Sequence, residues 1–330
     1  MGRRGTGWLV GVIVLLGLLW VGYWYAAHYA AETAIARAGA RGIACGSVDL
    51  SGFPLQLDLR CDKATYAGAN SAATGAIAGF TAHAPLYQPG QINAKLEAPL
   101  TLNVPGRNLA VTANWTAGSA TGGAGFSGLN AASAAFTTLK VESSGGLPIA
   151  SATADSASGA ISPADGSSYN LASSIRHLLV TPTDAAAYPQ LDLDLAATAH
   201  NVGALGVDPQ RAIVAWLRGT PELDISSLRL AAQDAVIAAS GTLSLSKDGL
   251  LNGSILLRYN NIDALANLVE TLHPGAKEKY AVAFQGIAGM SKKVDTTDGP
   301  MLQTALTFTD GLIWLTVIPL PVTPIPPIRF

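Results

Sequence analysis

Two patterns of apolar and polar positions divide this chain. From Trp8 to Tyr25 the residues are uncharged and almost wholly apolar, and beyond Gly42 apolar and polar residues alternate in runs of period two. At about 1.5 Å rise per residue, Trp8–Tyr25 predicts a helix of about 27 Å, close to the ~30 Å hydrocarbon core of a bilayer. Arg3 and Arg4 precede the stretch and nothing charged follows until Glu32, which predicts a cytoplasmic N-terminus with the bulk of the chain exported. Trp20, Tyr23, Trp24 and Tyr25 occupy the far end, where an interfacial aromatic belt belongs. A cleaved signal peptide shares the basic start and apolar stretch. The long core, the bulky exit and the distance to Ala34-Ile35-Ala36 favour an uncleaved anchor. Both readings export the remainder.

The alanine-rich segment from Ala26 to Arg41 predicts a continuation of the helix that stops at Gly39 or Gly42. Alternation follows, in Leu55-Gln56-Leu57-Asp58-Leu59, Leu100-Thr101-Leu102-Asn103-Val104, Leu191-Asp192-Leu193-Asp194-Leu195 and Leu243-Ser244-Leu245. Short alternating runs separated by Gly, Pro, Asn and Asp predict an antiparallel sheet. The expected fold is mainly β: an N-terminal transmembrane helix, then a large curved antiparallel sheet with a few short helices packed on it. The helices are expected at 208–219, with Asp208 as N-cap and Ile213, Trp216 and Leu217 buried, at 262–272, and at 276–290 with Tyr280, Phe284 and Ile287 on one face. Segment 131–142 reads as strand; 151–167, rich in Ala, Ser and Gly, is open between strand and linker. Prolines 319, 321, 324, 326 and 327 predict an extended tail. The expected division is 1–7 as a cytoplasmic start, 8–29 as a transmembrane anchor, 30–42 as a helical extension and 43–330 as a periplasmic β-rich domain. A sub-boundary, if the chain has one, falls near 150–167.

Composition narrows the function. Charged residues are 13%, against roughly 25% in an average soluble domain. The formal charge is −2, and subtracting the two charges of Arg3 and Arg4 leaves −4 for the exported part. No basic cluster appears, so nucleic acid is not an expected partner.

Cys45 and Cys61 are the two cysteines, and an even pair in an oxidising compartment reads as a disulfide, with two buried free thiols as the alternative. Gly52-Phe53-Pro54 turns the chain between them. Pairing Leu50 with Leu57 and Val48 with Leu59 puts four apolar residues on one face but leaves Cys45 one residue out of line. A bulge at Cys45-Gly46 reconciles the two demands. Such a bond is worth about 3 kcal/mol in the chain-entropy model.

Catalytic chemistry is hard to find. His28, His83, His177, His200 and His273 form no i, i+4 pair and no zinc-type motif; His28 is interfacial by position, and the others read as loop or sheet-surface residues. Gly123-Ala124-Gly125-Phe126-Ser127-Gly128 has the spacing of a dinucleotide fingerprint but lacks the following helix and acidic residue. Asp192 and Asp194 share a strand face; calcium binding or acid–base work competes there with a plain solvated face. No catalytic residue, cofactor or metal site is expected, and the chain reads as a non-enzyme.

The order Cys45, Ser51-Gly52-Phe53-Pro54-Leu55, Cys61, Ala84-Pro85-Leu86-Tyr87-Gln88-Pro89-Gly90, and the ending Asp310-Gly311, Ile318-Pro319-Leu320, Pro326-Pro327 resemble domain-of-unknown-function family 2125. The Gly-Phe-Pro hairpin after an anchor is also distantly similar to the AsmA-like group of envelope proteins. That likeness implies a curved sheet with an apolar groove and a role in lipid movement or envelope maintenance. The family has no catalytic residues to carry over.

Two functions are expected to compete. One is an inner-membrane-anchored periplasmic protein that binds lipid or another amphiphile in an apolar β-groove, with Leu55, Leu57 and Leu59 as candidate lining. The other is an envelope structural or assembly factor that presents a strand edge or the proline tail to protein partners. The hairpin's start about 20 residues past the span predicts that the sheet begins close to the bilayer surface.

Overall fold

The computed structural model describes residues 3–328 except 41, 68–72, 89, 126–127, 185–186, 206–208, 273, 297–298, 316–317 and 320–324; side chains are described from Val14 onward, apart from a few positions inside elements. The fold is mainly β, a large antiparallel sheet with a few short helices. Contacts gather the chain into two units. The first comprises Met1–Ala113, Ala117–Thr121 and Ser144–Gly146, and the second the remainder.

The first unit opens with helix α1 (Arg3–Ala40), which ends as the sequence predicts. Gly42, at φ 85°, turns the chain, and its carbonyl accepts the Ala67 amide at 2.8 Å. An antiparallel meander follows: β1 (Ile43–Ser51), β2 (Gln56–Ala67), β3 (Thr74–Pro85), β4 (Gln91–Val104), a 3-10 turn (Pro105–Arg107) and β5 (Leu109–Asn114). Helix α1 contacts β1. Strand β6 (Ala117–Gly125) is divided between the units.

No helix among the described residues is long and apolar enough to cross a membrane. The span expected over 8–29 begins at positions whose side chains, up to residue 13, lie outside the described set. Within the described part α1 changes character at Trp20. Val14, Leu15, Leu16, Leu18 and Leu19 are each more than half exposed. From Trp20 on, the partly covered positions fall mostly at 20–21, 24, 27–28, 31, 35 and 38, the three-and-four spacing of a helix with one face against protein.

The β1–β2 register differs from the expected one by two residues: Leu50 opposes Leu59 and Val48 opposes Cys61. The ladder is interrupted where Gly46 faces Lys63, and Lys63 has φ 55°. The expected bulge is thus an interruption on both strands, which preserves register and shifts the alternation on each. Apolar positions run Ile43, Cys45, then Val48, Leu50 on β1, and Leu57, Leu59, Cys61, then Ala64, Tyr66 on β2. The shift keeps all of them on one face, and the Cys45–Cys61 disulfide forms there.

The second unit continues with β7 (Gly128–Ser144), β8 (Ile149–Pro163), β9 (Tyr169–Pro182), β10 (Leu191–His200), α2 (Pro209–Arg218), β11 (Glu222–Ala232), β12 (Ala235–Leu245) and β13 (Leu251–Tyr259). Helices α3 (Ile262–Leu272), α4 (Ala276–Lys279) and α5 (Ala281–Met290) precede β14 (Lys292–Thr296), β15 (Gly299–Thr309), β16 (Leu312–Leu315) and β17 (Ile318–Pro319). Strands β7 to β13 pair in order. Strand β15 lies between β13 on one side and β14 and β16 on the other. Segment 151–163 is therefore strand.

The core of this unit sits beneath its helices. Leu268 of α3 packs on Ala232 and Ala235, and Ile287 of α5 packs with Tyr259 and Leu315. The single helix expected over 276–290 is broken at Tyr280, and the buried face is Ala276, Ala283 and Ile287. In α2, Trp216 donates to the His200 carbonyl at 2.7 Å while Ile213 faces solvent. The expected N-cap Asp208 lies outside the described residues. Of the expected proline tail, residues 325–328 are described: Ile325 donates to the Gly311 carbonyl and Ile328 to that of Gly249, both at 2.9 Å.

Candidate functional site

The first unit's sheet has an apolar face and a polar face. In an antiparallel ladder, residues directly opposite each other share a face. One set of rows reads Ile43–Tyr66–Gly75–Leu102–Val111, Cys45–Ala64–Ile77–Leu100–Ala113, Val48–Cys61–Phe80–Leu96 and Leu50–Leu59–Ala82–Ala94. The alternate set reads Asp49–Arg60–Thr81–Lys95, Ser47–Asp62–Gly79–Glu97 and Ser51–Asp58–His83–Asn93. The polar rows are stitched together. Ser47 and Arg60 both donate to the Asp62 carboxylate, at 2.8 and 3.0 Å, and hold it below the usual carboxylate range. His83 Nδ1 meets Asp58 at 2.7 Å.

The apolar rows are open in part: Cys61 and Ala64 are buried, and Leu50, Leu59, Phe80 and Leu96 are half-buried. Ile43, Val48, Tyr66, Leu100 and Leu102 are all exposed. Among the described residues of this unit, the buried apolar side chains are Cys61, Ala64 and Leu86 alone. A shallow open depression of about 530 Å³ lies on β2–β5, lined by Tyr66, Leu102 and Val111 among others.

Leu57 and Leu59 lie half-buried on this face, as alternation requires. Leu55 does not join them. It stands in the turn before β2, its carbonyl accepts the Leu86 amide at 3.0 Å, and its side chain is 61% exposed. The run Leu55-Gln56-Leu57 alternates in sequence, but Gly52-Phe53-Pro54-Leu55 is consumed in reversing the chain.

That turn meets α1. Trp20 Nε1 donates to the Pro54 carbonyl at 2.8 Å, Trp24 Nε1 to the Gln56 carbonyl at 3.3 Å, and the Tyr23 hydroxyl to the Leu86 carbonyl at 3.3 Å. The Trp24 and Phe53 rings stand edge to face at 5.3 Å, and His28 stacks on the other side of Trp24 at 5.0 Å. Tyr25 packs edge-on against Trp24 and remains exposed. The expected aromatic belt therefore clamps two turns of its own chain, and three of its polar atoms are spent on their carbonyls. The Ser51–Leu55 and Ala84–Gly90 segments, distant in sequence, are neighbours here because Gln56 pairs with Pro85.

A second constellation lies in the second unit. The Arg176 guanidinium makes two bonds to the Asp194 carboxylate, at 2.7 and 3.0 Å. His177, at φ 52°, interrupts the β8–β9 ladder; the Asp192 carboxylate accepts its backbone amide at 2.7 Å, and Asp155 contacts its Nδ1 at 2.7 Å. Arg176 holds Asp194 below the usual carboxylate range, and Asp155 raises His177. Asp192 and Asp194 are thus engaged by an amide and a guanidinium, and no group of His, Cys, Asp or Glu able to hold a metal occurs among the described residues. Sequence reading missed these partners because Asp155, His177 and Asp192 come from three strands.

The motif-bearing ending is structural as well. Asp310-Gly311 turns β15 into β16, and the tail docks on that turn. No curated protein and no solved structure matches the chain. Those comparisons carry nothing for the distant likeness to the AsmA-like group. A family model does match: it is described as an uncharacterised protein conserved in bacteria, DUF2125, it covers residues 20–326, and the chain belongs to that family.

Proposed function

We propose that this protein is anchored in the inner membrane by the N-terminal part of α1, with the rest of the chain periplasmic, and that the open apolar face of its first unit binds the acyl chains of a lipid or similar amphiphile. The observation that carries the reading is the pairing of two uncovered apolar surfaces in one unit. Val14–Leu19 is bare on every side of the helix, and Ile43, Val48, Tyr66, Leu100 and Leu102 are exposed on one side of the sheet. In water both surfaces are unfavourable by roughly 25 cal/mol per Å² of apolar area. A bilayer relieves the first and an acyl chain the second. Exposed apolar patches of this extent mark binding surfaces in soluble parts of proteins. The reading is one of binding rather than catalysis, in keeping with the engaged carboxylates of the second unit.

The test is fractionation followed by lipid analysis. The full chain should resist alkaline extraction from membranes, and a C-terminal tag should be protease-accessible from the periplasmic side only. Purified in a detergent-free polymer disc and then stripped, it should retain lipid that Leu100→Asp abolishes. Leu100 is exposed, and a disulfide and melting profile matching the parent's should accompany the loss of lipid. Release by alkali ends the anchor reading, and identical lipid content in the variant ends the binding reading.

A further inference from the structure

We propose that the turn end of the first unit's sheet is itself seated in the bilayer interface, through Phe53, Leu55 and Tyr87, so that the strands stand away from the membrane. This rests on the anchor reading above. The geometry starts from two rises. Between Trp20 and Ala40 the helix climbs about 30 Å at 1.5 Å per residue. The nine residues of β1, at about 3.3 Å each, return nearly the same distance. The sheet therefore begins far from the aromatic belt, not beside it, and the turn that ends β1 comes back to it.

Three hydrogen bonds fix that return: Trp20 to Pro54, Trp24 to Gln56 and Tyr23 to Leu86. They hold the turn end level with the residues at which α1 becomes bare. The tips beyond the clamp are apolar or aromatic and point into solvent: Phe53 is 56%, Leu55 61% and Tyr87 68% exposed. Large apolar side chains at the tips of turns, adjoining a bare apolar helix and an aromatic belt, match an interfacial surface. At the opposite end, by Gly42, Ala67 and Thr74, the exposed apolar residues Ile43, Tyr66 and Leu102 belong to the strand face rather than to turn tips, and no aromatic clamp from α1 adjoins them among the described residues. The occupant is a lipid surface, because the tips are continuous with the segment assigned to the bilayer.

The experiment uses the full chain with its disulfide, reconstituted in vesicles of phosphatidylethanolamine and phosphatidylglycerol. Phe53→Cys, Tyr87→Cys and, in the far turn between β4 and β5, Gly106→Cys are each labelled with an environment-sensitive fluorophore, and lipids carrying shallow nitroxides are the quencher. Labels at 53 and 87 should be blue-shifted and quenched at least threefold more than the label at 106. Tyr87 serves beside Phe53 because Phe53 also stacks on Trp24. Equal, water-like emission at all three positions, in protein that still resists alkaline extraction, overturns this proposal and leaves the anchor standing. Protein that leaves the vesicles on alkaline extraction overturns both.

Discussion

At the scale of single residues, the interrupted ladders explain side chains that look arbitrary in sequence. A backbone amide that loses its strand partner still needs an acceptor. At His177 the Asp192 carboxylate supplies it, and Asp155 then holds the imidazole. The titration consequences have opposite signs. His177 is raised above 6.5 by its hydrogen bond to Asp155, so its contribution to stability is complete below its unfolded value and is lost as pH rises through the folded one. Asp194 is lowered from 3.8 by Arg176; its contribution is present above the unfolded value and is lost as pH falls through the folded one. In Asp155→Asn, proton resonances of His177 should titrate closer to 6.5 than in the parent. Melting of Asp194→Asn should converge on the parent only at strongly acidic pH. An unchanged His177 midpoint would remove Asp155 as the cause. None of this was readable beforehand, because period two identifies a face but not which carboxylate lies across from which histidine.

At the scale of elements, the first unit relies on cross-links more than on a core. Its buried apolar side chains among the described residues are few and small, and a disulfide spanning a sequence separation of 16 ties its edge hairpin. Cys45→Ala with Cys61→Ala should destabilise this unit by about 3 kcal/mol through the freed loop of the unfolded chain. Limited proteolysis should then cut within β1–β2 at lower denaturant while the second unit's fragments persist. The tail depends on a different device. A Cβ on Gly311 would stand 2.6 Å from the Ile325 carbonyl oxygen, and φ there is 80°. Gly311→Ala should therefore cost about 1–2 kcal/mol in backbone strain alone and release the tail, seen as rapid carboxypeptidase trimming that the parent resists. The phase shift at Gly46 and Lys63 was partly legible: the apolar positions of β1 and β2 visibly change parity. The choice of register was not, since two alternatives two residues apart preserve the same face.

At the scale of the whole molecule, each unit follows the layer logic of its own residues. The second unit has amphipathic helices to lay on its sheet and buries Tyr259, Ile287 and Leu315 beneath them. In the first, Ile43, Tyr66, Leu100 and Leu102 stay exposed on one face of the strands. An uncovered face needs another apolar medium. Deleting residues 1–19, which leaves the clamp from Trp20 intact and matches the start of the family's shared region, should move the protein from the membrane pellet to the soluble fraction with its disulfide formed. A truncated chain that still pellets quantitatively without aggregating would place the membrane affinity elsewhere.

The sequence by itself determined the class of structure: an unbroken helix to Ala40, strands of period two, three of the helical segments, and the family. Those follow from local periodicity, glycine and proline, which act over a few residues. Tertiary structure alone decided what the motifs are for. Phe53, Pro54 and Leu86 meet Trp20, Tyr23 and Trp24 only because a helix rises about 1.5 Å per residue and a strand about 3.3 Å, so that 20 helical residues and one strand cancel. No local pattern encodes that sum.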